Sequence, residues 1–155
     1  HTTTRRQRQM CIRDRYIDKQ PASIWQKFET LSGLNSWYGI GHTIDSFVQG
    51  ANGSIELSVD IDNVRARFGG PTLCWQPGNE GSYQNNWLDE DSPWIWPIPT
   101  FTTFRLTALY SGTLVELLHH GFERLGIDAG EQLQAYENGW DARHLSALRR
   151  ICETG

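Results

Sequence analysis

Residues 101–122 read FTTFRLTALYSGTLVELLHHGF. Apolar and polar side chains alternate on both sides of Ser111-Gly112, a dipeptide suited to a two-residue connection between strands. The stretch predicts a β-hairpin. With Ser111 and Gly112 as the loop, Phe104 faces His119, Leu106 faces Leu117 and Ala108 faces Val115. Strand side chains alternate between faces, so these six share one. Arg105, Thr107, Glu116, Leu118 and His120 take the other, with Arg105 and Glu116 as diagonal neighbours. His119 is expected to point to the interior and His120 away from it.

Downstream, the sequence changes period. Asp128 followed by Glu131 has the spacing of a capping box. At about 100° per residue, Leu133, Tyr136, Trp140, His144, Ala147, Leu148 and Ile151 then fall on one broad apolar face. This predicts one long amphipathic helix running to Cys152. Gly139 lies inside it, at a cost of up to ~1 kcal/mol relative to Ala. A hairpin followed by such a helix suggests a curved sheet gripping a C-terminal helix, an architecture able to enclose a ligand cavity.

Upstream, Tyr16-Ile17-Asp18 looks like the end of a first strand. Pro21-Ala22-Ser23 opens a short helix, because Pro suits a first turn and Ser is a good cap. Ile24, Trp25, Phe28 and Leu31 form its buried stripe, and a second short helix spans Leu31 to Trp37. Strands are expected over Thr43–Val48, Gly53–Val59 and Val64–Phe68, then an interruption at Gly69-Gly70-Pro71. Leu73–Trp75 and Gly81–Leu88 could form further strands. Leu88 to Thr100, with Pro93, Pro97, Pro99, Trp94 and Trp96, reads as a long loop of the kind that forms lids.

A chain of 155 residues has room for one domain with a real core. Only 38% of it is hydrophobic, but seven Trp, five Tyr and six Phe supply large apolar surfaces. Residues 1–15 carry five Arg and one acid, without periodicity. Residues 9–15 also resemble peptides encoded by sequencing-adapter DNA. Residues 1–15 are therefore read as a disordered or artefactual tail, and 16–155 as the domain. Those later residues hold nine basic and seventeen acidic side chains. An acidic body argues against nucleic acid as a partner, since phosphate binding needs a basic surface. No apolar run approaches a membrane span, and no signal peptide is evident. Cys11, Cys74 and Cys152 form no close pair, which fits a reducing compartment. The expectation is a cytoplasmic protein with no membrane partner. A homodimer is compatible with it.

Four pieces of the chain resemble the SRPBCC, or START-like, superfamily, in the branch related to the activator of the heat-shock-protein ATPase. Pro21-Ala22-Ser23-Ile24-Trp25 looks like its P-x-x-V-W. Leu34-Asn35-Ser36-Trp37 looks like its L-x-x-W. Thr113 to Phe122 is similar to its strand T-x-V-x-L-x-H-x-G-F, and Gly139-Trp140 with Leu145 and Leu148 to its terminal G-W…L-x-x-L. The resemblance spans Tyr16 to Cys152 and implies an α+β helix-grip fold. That fold has a curved antiparallel sheet, two short helices after strand one, and a long C-terminal helix enclosing a cavity for apolar ligands. The match is poor from Asp60 to Thr100, and the superfamily's motifs supply no catalytic residues.

The chemistry-bearing residues are few. His119 and His144 are both expected in the interior, where with Tyr136 they could act as acid and base. The simpler reading is that each is a hydrogen-bonded core histidine. No H-E-x-x-H or comparable ligand spacing occurs, so no metal is expected. No G-x-S-x-G or phosphate-binding G-x-x-x-x-G-K is present either. No cofactor is implied. Expected ligand-contacting residues are Trp37, Phe104, Leu106, Leu117, His119, Tyr136, Trp140 and His144. Trp37 is placed at the pocket mouth; Trp25 and Trp140 are placed in the core. The function expected is binding of a small apolar or aromatic molecule between sheet and C-terminal helix. The alternatives are a cyclase- or hydrolase-type enzyme using a cavity His, and a co-chaperone-like interaction domain.

Overall fold

The computed structural model describes residues 11–61, 63–89, 99–122 and 143–154. Seven strands form one antiparallel sheet: β1 Cys11–Ile17, β2 Thr43–Val48, β3 Ser54–Ile61, β4 Val64–Gln76, β5 Glu80–Trp87, β6 Thr100–Leu109 and β7 Gly112–His120. Their spatial order is β1-β7-β6-β5-β4-β3-β2. Two short helices, α1 Pro21–Trp25 and α2 Leu31–Trp37, follow β1, and α3 Arg143–Thr154 closes the described chain. The architecture is α+β, with a curved sheet and a C-terminal helix.

Local signals explain the helices. Pro21 sits in the first turn of α1, but the cap is Gln20, without a side-chain bond, rather than Ser23. Thr30 caps α2, its hydroxyl accepting from Gly33 N at 3.0 Å. In α3, His144, Leu145, Ala147, Leu148 and Cys152 are buried. Ile151 packs on the core half-buried. The anticipated face is thus present from His144 onward. The helix start at Asp128, its capping box, Tyr136, Gly139 and Trp140 lie outside the described residues, as do Trp94 and Trp96 of the anticipated loop.

The hairpin forms one residue earlier than anticipated. Leu109 pairs with Gly112, which leaves Tyr110 and Ser111 as the loop. Phe104 therefore faces Leu117, Thr102 faces His119, and Arg105 faces Glu116 directly. The reason is Gly112. A Cβ there would collide with the Tyr16 ring and the Ile17 carbonyl, so Gly112 permits close approach of β1 instead of making the turn. Moving the turn by one residue shifts both strands together and keeps every side chain on its anticipated face.

Two further boundaries differ. Cys11 to Arg15 pair with β7 as part of β1, and Arg15 Nη2 donates to Ser146 Oγ of α3 at 2.8 Å. These residues belong to the sheet rather than to a tail; residues 1–10 lie outside the described residues. Gly69-Gly70-Pro71 bends β4 without ending it. Gly69 has a φ of 128°, and the strand continues to Gln76. A register shift follows between Thr72 and Cys74.

The core lies between the concave face and the helices. Trp25, Phe28, Trp37, Tyr38 and Phe104 form a continuous aromatic cluster in it. Phe28 and Trp37 ring centroids are 4.9 Å apart, and Phe104 meets Tyr38 edge-on at 5.2 Å. Offset and edge-to-face packing of this kind adds to the area these rings bury. No helix among the described residues is long and apolar enough to cross a membrane.

Candidate functional site

Most of the concave face is apolar, but one band across β5, β6 and β7 is not. Strand alternation puts Tyr83 and Asn85 of β5, Thr100 and Thr102 of β6, and His119 of β7 on the inner side. Register makes them neighbours: Tyr83 opposes Thr102, Asn85 opposes Thr100, and Thr102 opposes His119. All five are buried. A chain needing only a core would place aliphatic side chains here, because burying a polar group costs free energy unless its bonds are replaced.

The band is joined by hydrogen bonds. Tyr38 and Tyr83 hydroxyls lie 2.8 Å apart, and Tyr83 stands directly across the strand pair from Thr102. Asn85 Nδ2 donates to Thr102 Oγ1 at 3.2 Å and lies 3.3 Å from His119 Nε2. Thr100 Oγ1 is 2.7 Å from the same Nε2 and 3.2 Å from the Asn85 carbonyl. The chain of contacts thus runs from the end of α2 to β7. Burial raises the Tyr83 pKa to about 12. Burial, and to a lesser degree the neighbouring His120, lowers that of His119 to about 3. Both groups are neutral at physiological pH.

A second histidine pair lies toward β2. His144 Nε2 is 2.8 Å from the Ile40 carbonyl. Its ring stacks on that of His42 at 5.6 Å. Burial, aided by the charge of His144, lowers the His42 pKa to about 4. Among the described residues no three His, Cys, Asp or Glu side chains come together as metal ligands.

The apolar end is tight. Phe28, Leu34, Trp75, Tyr83 and Phe104 help to line a space of about 10 Å³, which is room for about one water. A single benzene ring occupies a cavity of about 150 Å³ in an engineered protein core. The roomy pocket anticipated from the sequence is thus not present among the described residues at this end.

The anticipated contact residues divide accordingly. Phe104, Leu106, Leu117, His119 and His144 are all buried. The first four share the concave face, and His144 reaches it from α3. Trp37 is not at a mouth: it is fully buried, and its Nε1 donates to the Lys27 carbonyl at 3.0 Å. Tyr136 and Trp140 lie outside the described residues. His120 points outward as anticipated, half-buried, with Nε2 2.9 Å from Thr103 Oγ1. Sequence reasoning missed Tyr38, Tyr83, Asn85, Thr100 and Thr102. Period-2 alternation in β5 could have marked Tyr83 and Asn85. Nothing local paired β5 with β6 across the residues between them.

No protein-family model matches the chain, and no curated protein does. Solved structures share the architecture. A Mesorhizobium loti protein is 18% identical with a TM-score of 0.69, matching 94% of this chain and 97% of its own. A protein of Arthrobacter aurescens is 15% identical with a TM-score of 0.73, over 96% of this chain and 88% of its own. DynU16, a protein of the dynemicin biosynthetic locus, is 12% identical with a TM-score of 0.68; the match covers 95% of this chain and 48% of that one. These neighbours have an SRPBCC-like fold. At these identities the likeness concerns the fold alone.

Proposed function

We propose that the protein binds a small, largely apolar or aromatic molecule between its concave sheet face and its C-terminal helix. The observation that carries this reading is the buried polar band Tyr83–Thr102–Asn85–His119–Thr100 beside an aromatic-lined apolar end. Small-molecule sites combine these two features: an apolar wall for affinity and a few placed polar groups for orientation. The likeness of four sequence motifs to the activator branch of the SRPBCC superfamily supports the same reading, because those motifs build a cavity.

Binding is favoured over acid–base catalysis by magnitude. A general base works best with a pKa near the operating pH. His119 sits near 3 and His42 near 4, so each is a weak proton acceptor at neutrality. Neutral imidazoles of this kind act as hydrogen-bonding groups. The small apolar space sets a second condition: a ligand has to part the side chains of Phe28, Trp75 and Phe104, so binding is coupled to a rearrangement of the lining.

The test is titration with Nile red, a neutral apolar fluorophore, followed by displacement with a panel of small aromatics and native mass spectrometry of the mixtures. Saturable, stoichiometric binding lost in Phe104→Trp, which fills the space, supports the reading. Absence of any saturable binding by the wild-type protein overturns it.

A further inference from the structure

The Asn85 side chain is only partly used. Asn85 is 1% exposed. Its Nδ2 serves Thr102, but its Oδ1 has no hydrogen-bond partner. The His119 contact offers little more. One ring nitrogen satisfies one partner well, and Thr100 at 2.7 Å is much closer to Nε2 than Asn85 at 3.3 Å. A buried amide oxygen left without a donor carries an uncompensated desolvation penalty. Natural structures seldom keep such a group without a reason, and a ligand that donates to it is one.

The surroundings define that ligand further. Among the described residues no Asp, Glu, Lys or Arg side chain is buried. A charged ligand group would enter the band with no buried counter-charge from the described residues, which disfavours it. Tyr83 lines the apolar space and stands two residues before Asn85 on the same strand face. Alternate residues of a strand lie about 7 Å apart, a span that one aromatic ring and its hydroxyl bridge.

We infer that the interior selects neutral ligands bearing a hydrogen-bond donor, of the phenol class, whose hydroxyl donates to Asn85 Oδ1 while the ring packs against Tyr83 and Phe104. This rests on the cavity reading above and specifies the ligand class for it.

The experiment compares toluene, anisole, phenol and benzoate by amide chemical-shift titration of the full-length protein. Toluene tests the cavity alone, anisole adds an oxygen without a donor, phenol adds the donor, and benzoate adds charge. Phenol is expected to bind about three- to tenfold tighter than anisole, the range of one net hydrogen bond, and benzoate weakest of the four. Asn85→Leu is expected to abolish the phenol preference, bringing the ratio of phenol to anisole affinity to about one; Asn85→Ala is the second variant should the first not fold. Equal affinities for phenol and anisole in the wild-type protein overturn the inference, as does a preference that survives either variant. If toluene binds and phenol gains nothing, this inference alone fails. If none of the four binds, the cavity reading fails and takes this one with it.

Discussion

The hydroxyl of Tyr38, at the end of α2, lies 2.8 Å from the hydroxyl of Tyr83, in the middle of β5. This bond ties the helical layer to the sheet at the edge of the polar band. Tyr83→Phe removes a buried hydroxyl and strands its partner on Tyr38. It is expected to cost about 1–3 kcal/mol in urea unfolding. Tyr38→Phe should cost a similar amount. The double variant should cost less than the two together, because the second change removes a group already stranded by the first. Additive losses would show that the hydroxyls act independently.

Acid should destabilise the protein well above the carboxylate range. The folded pKa of His119, about 3, and of His42, about 4, both lie below the ordinary value of 6.5. Between those values the unfolded chain binds more protons, so stability is full above about pH 6.5 and falls as the pH drops toward the folded values. Each histidine is expected to contribute roughly 2 kcal/mol of loss between pH 7.5 and pH 5. Urea midpoints at the two pH values measure the slope. His119→Gln should flatten it by about half, and an unchanged slope would mean that His119 titrates normally.

The hairpin register predicts opposite signs for two neighbouring substitutions. Tyr110 is 93% exposed and has a φ of 55°, a left-handed conformation disfavoured for a bulky side chain by about 1–2 kcal/mol. Tyr110→Gly is expected to stabilise by up to ~1 kcal/mol, because relief of the left-handed strain outweighs the added freedom of the unfolded chain. Gly112 has no positive φ, but its added Cβ would lie 2.6 Å from the Tyr16 hydroxyl. Gly112→Ala should therefore cost about 1–3 kcal/mol. Thermal melts of both variants distinguish this turn from one built on Ser111-Gly112, for which the Tyr110 change would bring no gain.

Among the described residues, the buried tryptophans Trp25 and Trp37 should respond differently to Phe. Trp25 stacks on Phe28 at 5.1 Å and meets Trp75 at 5.1 Å, and its Nε1 has no hydrogen-bond partner. Trp37 uses its Nε1 to reach the Lys27 carbonyl. Truncation of either to Ala is expected to cost about 3–5 kcal/mol. Trp37→Phe loses volume and a bond and should exceed Trp25→Phe by about 1 kcal/mol. Denaturant unfolding of the four variants checks the order.

Local pattern carried much of the fold. The alternation in Phe101–Phe122 put Phe104, Leu106, Leu117 and His119 on the inner face, and Arg105, Glu116 and His120 on the other, as the structure has them. Leu31–Trp37 and Thr43–Val48 form a helix and a strand with the anticipated ends. These readings hold because period and turn chemistry act within a few residues, where the sequence alone determines the geometry.

Three features depended on tertiary structure. The turn moved to Tyr110-Ser111 because the approach of β1 requires a glycine inside β7, and β1 is about a hundred residues away in the chain. Trp37 left the pocket mouth because three rings, Phe28, Tyr38 and Phe104, close around it. The polar band arose from the register of β5 on β6 and of β6 on β7. Asn85 and Thr102 stand out as nothing special in their own strands, and His119 was legible there only as an inward-facing side chain, without its partners. Strand pairing sets which rows stand opposite one another, and that register is a property of the assembled sheet. In the hairpin the sequence by itself thus determined which way the assigned side chains point; only the folded sheet decided which of them meet.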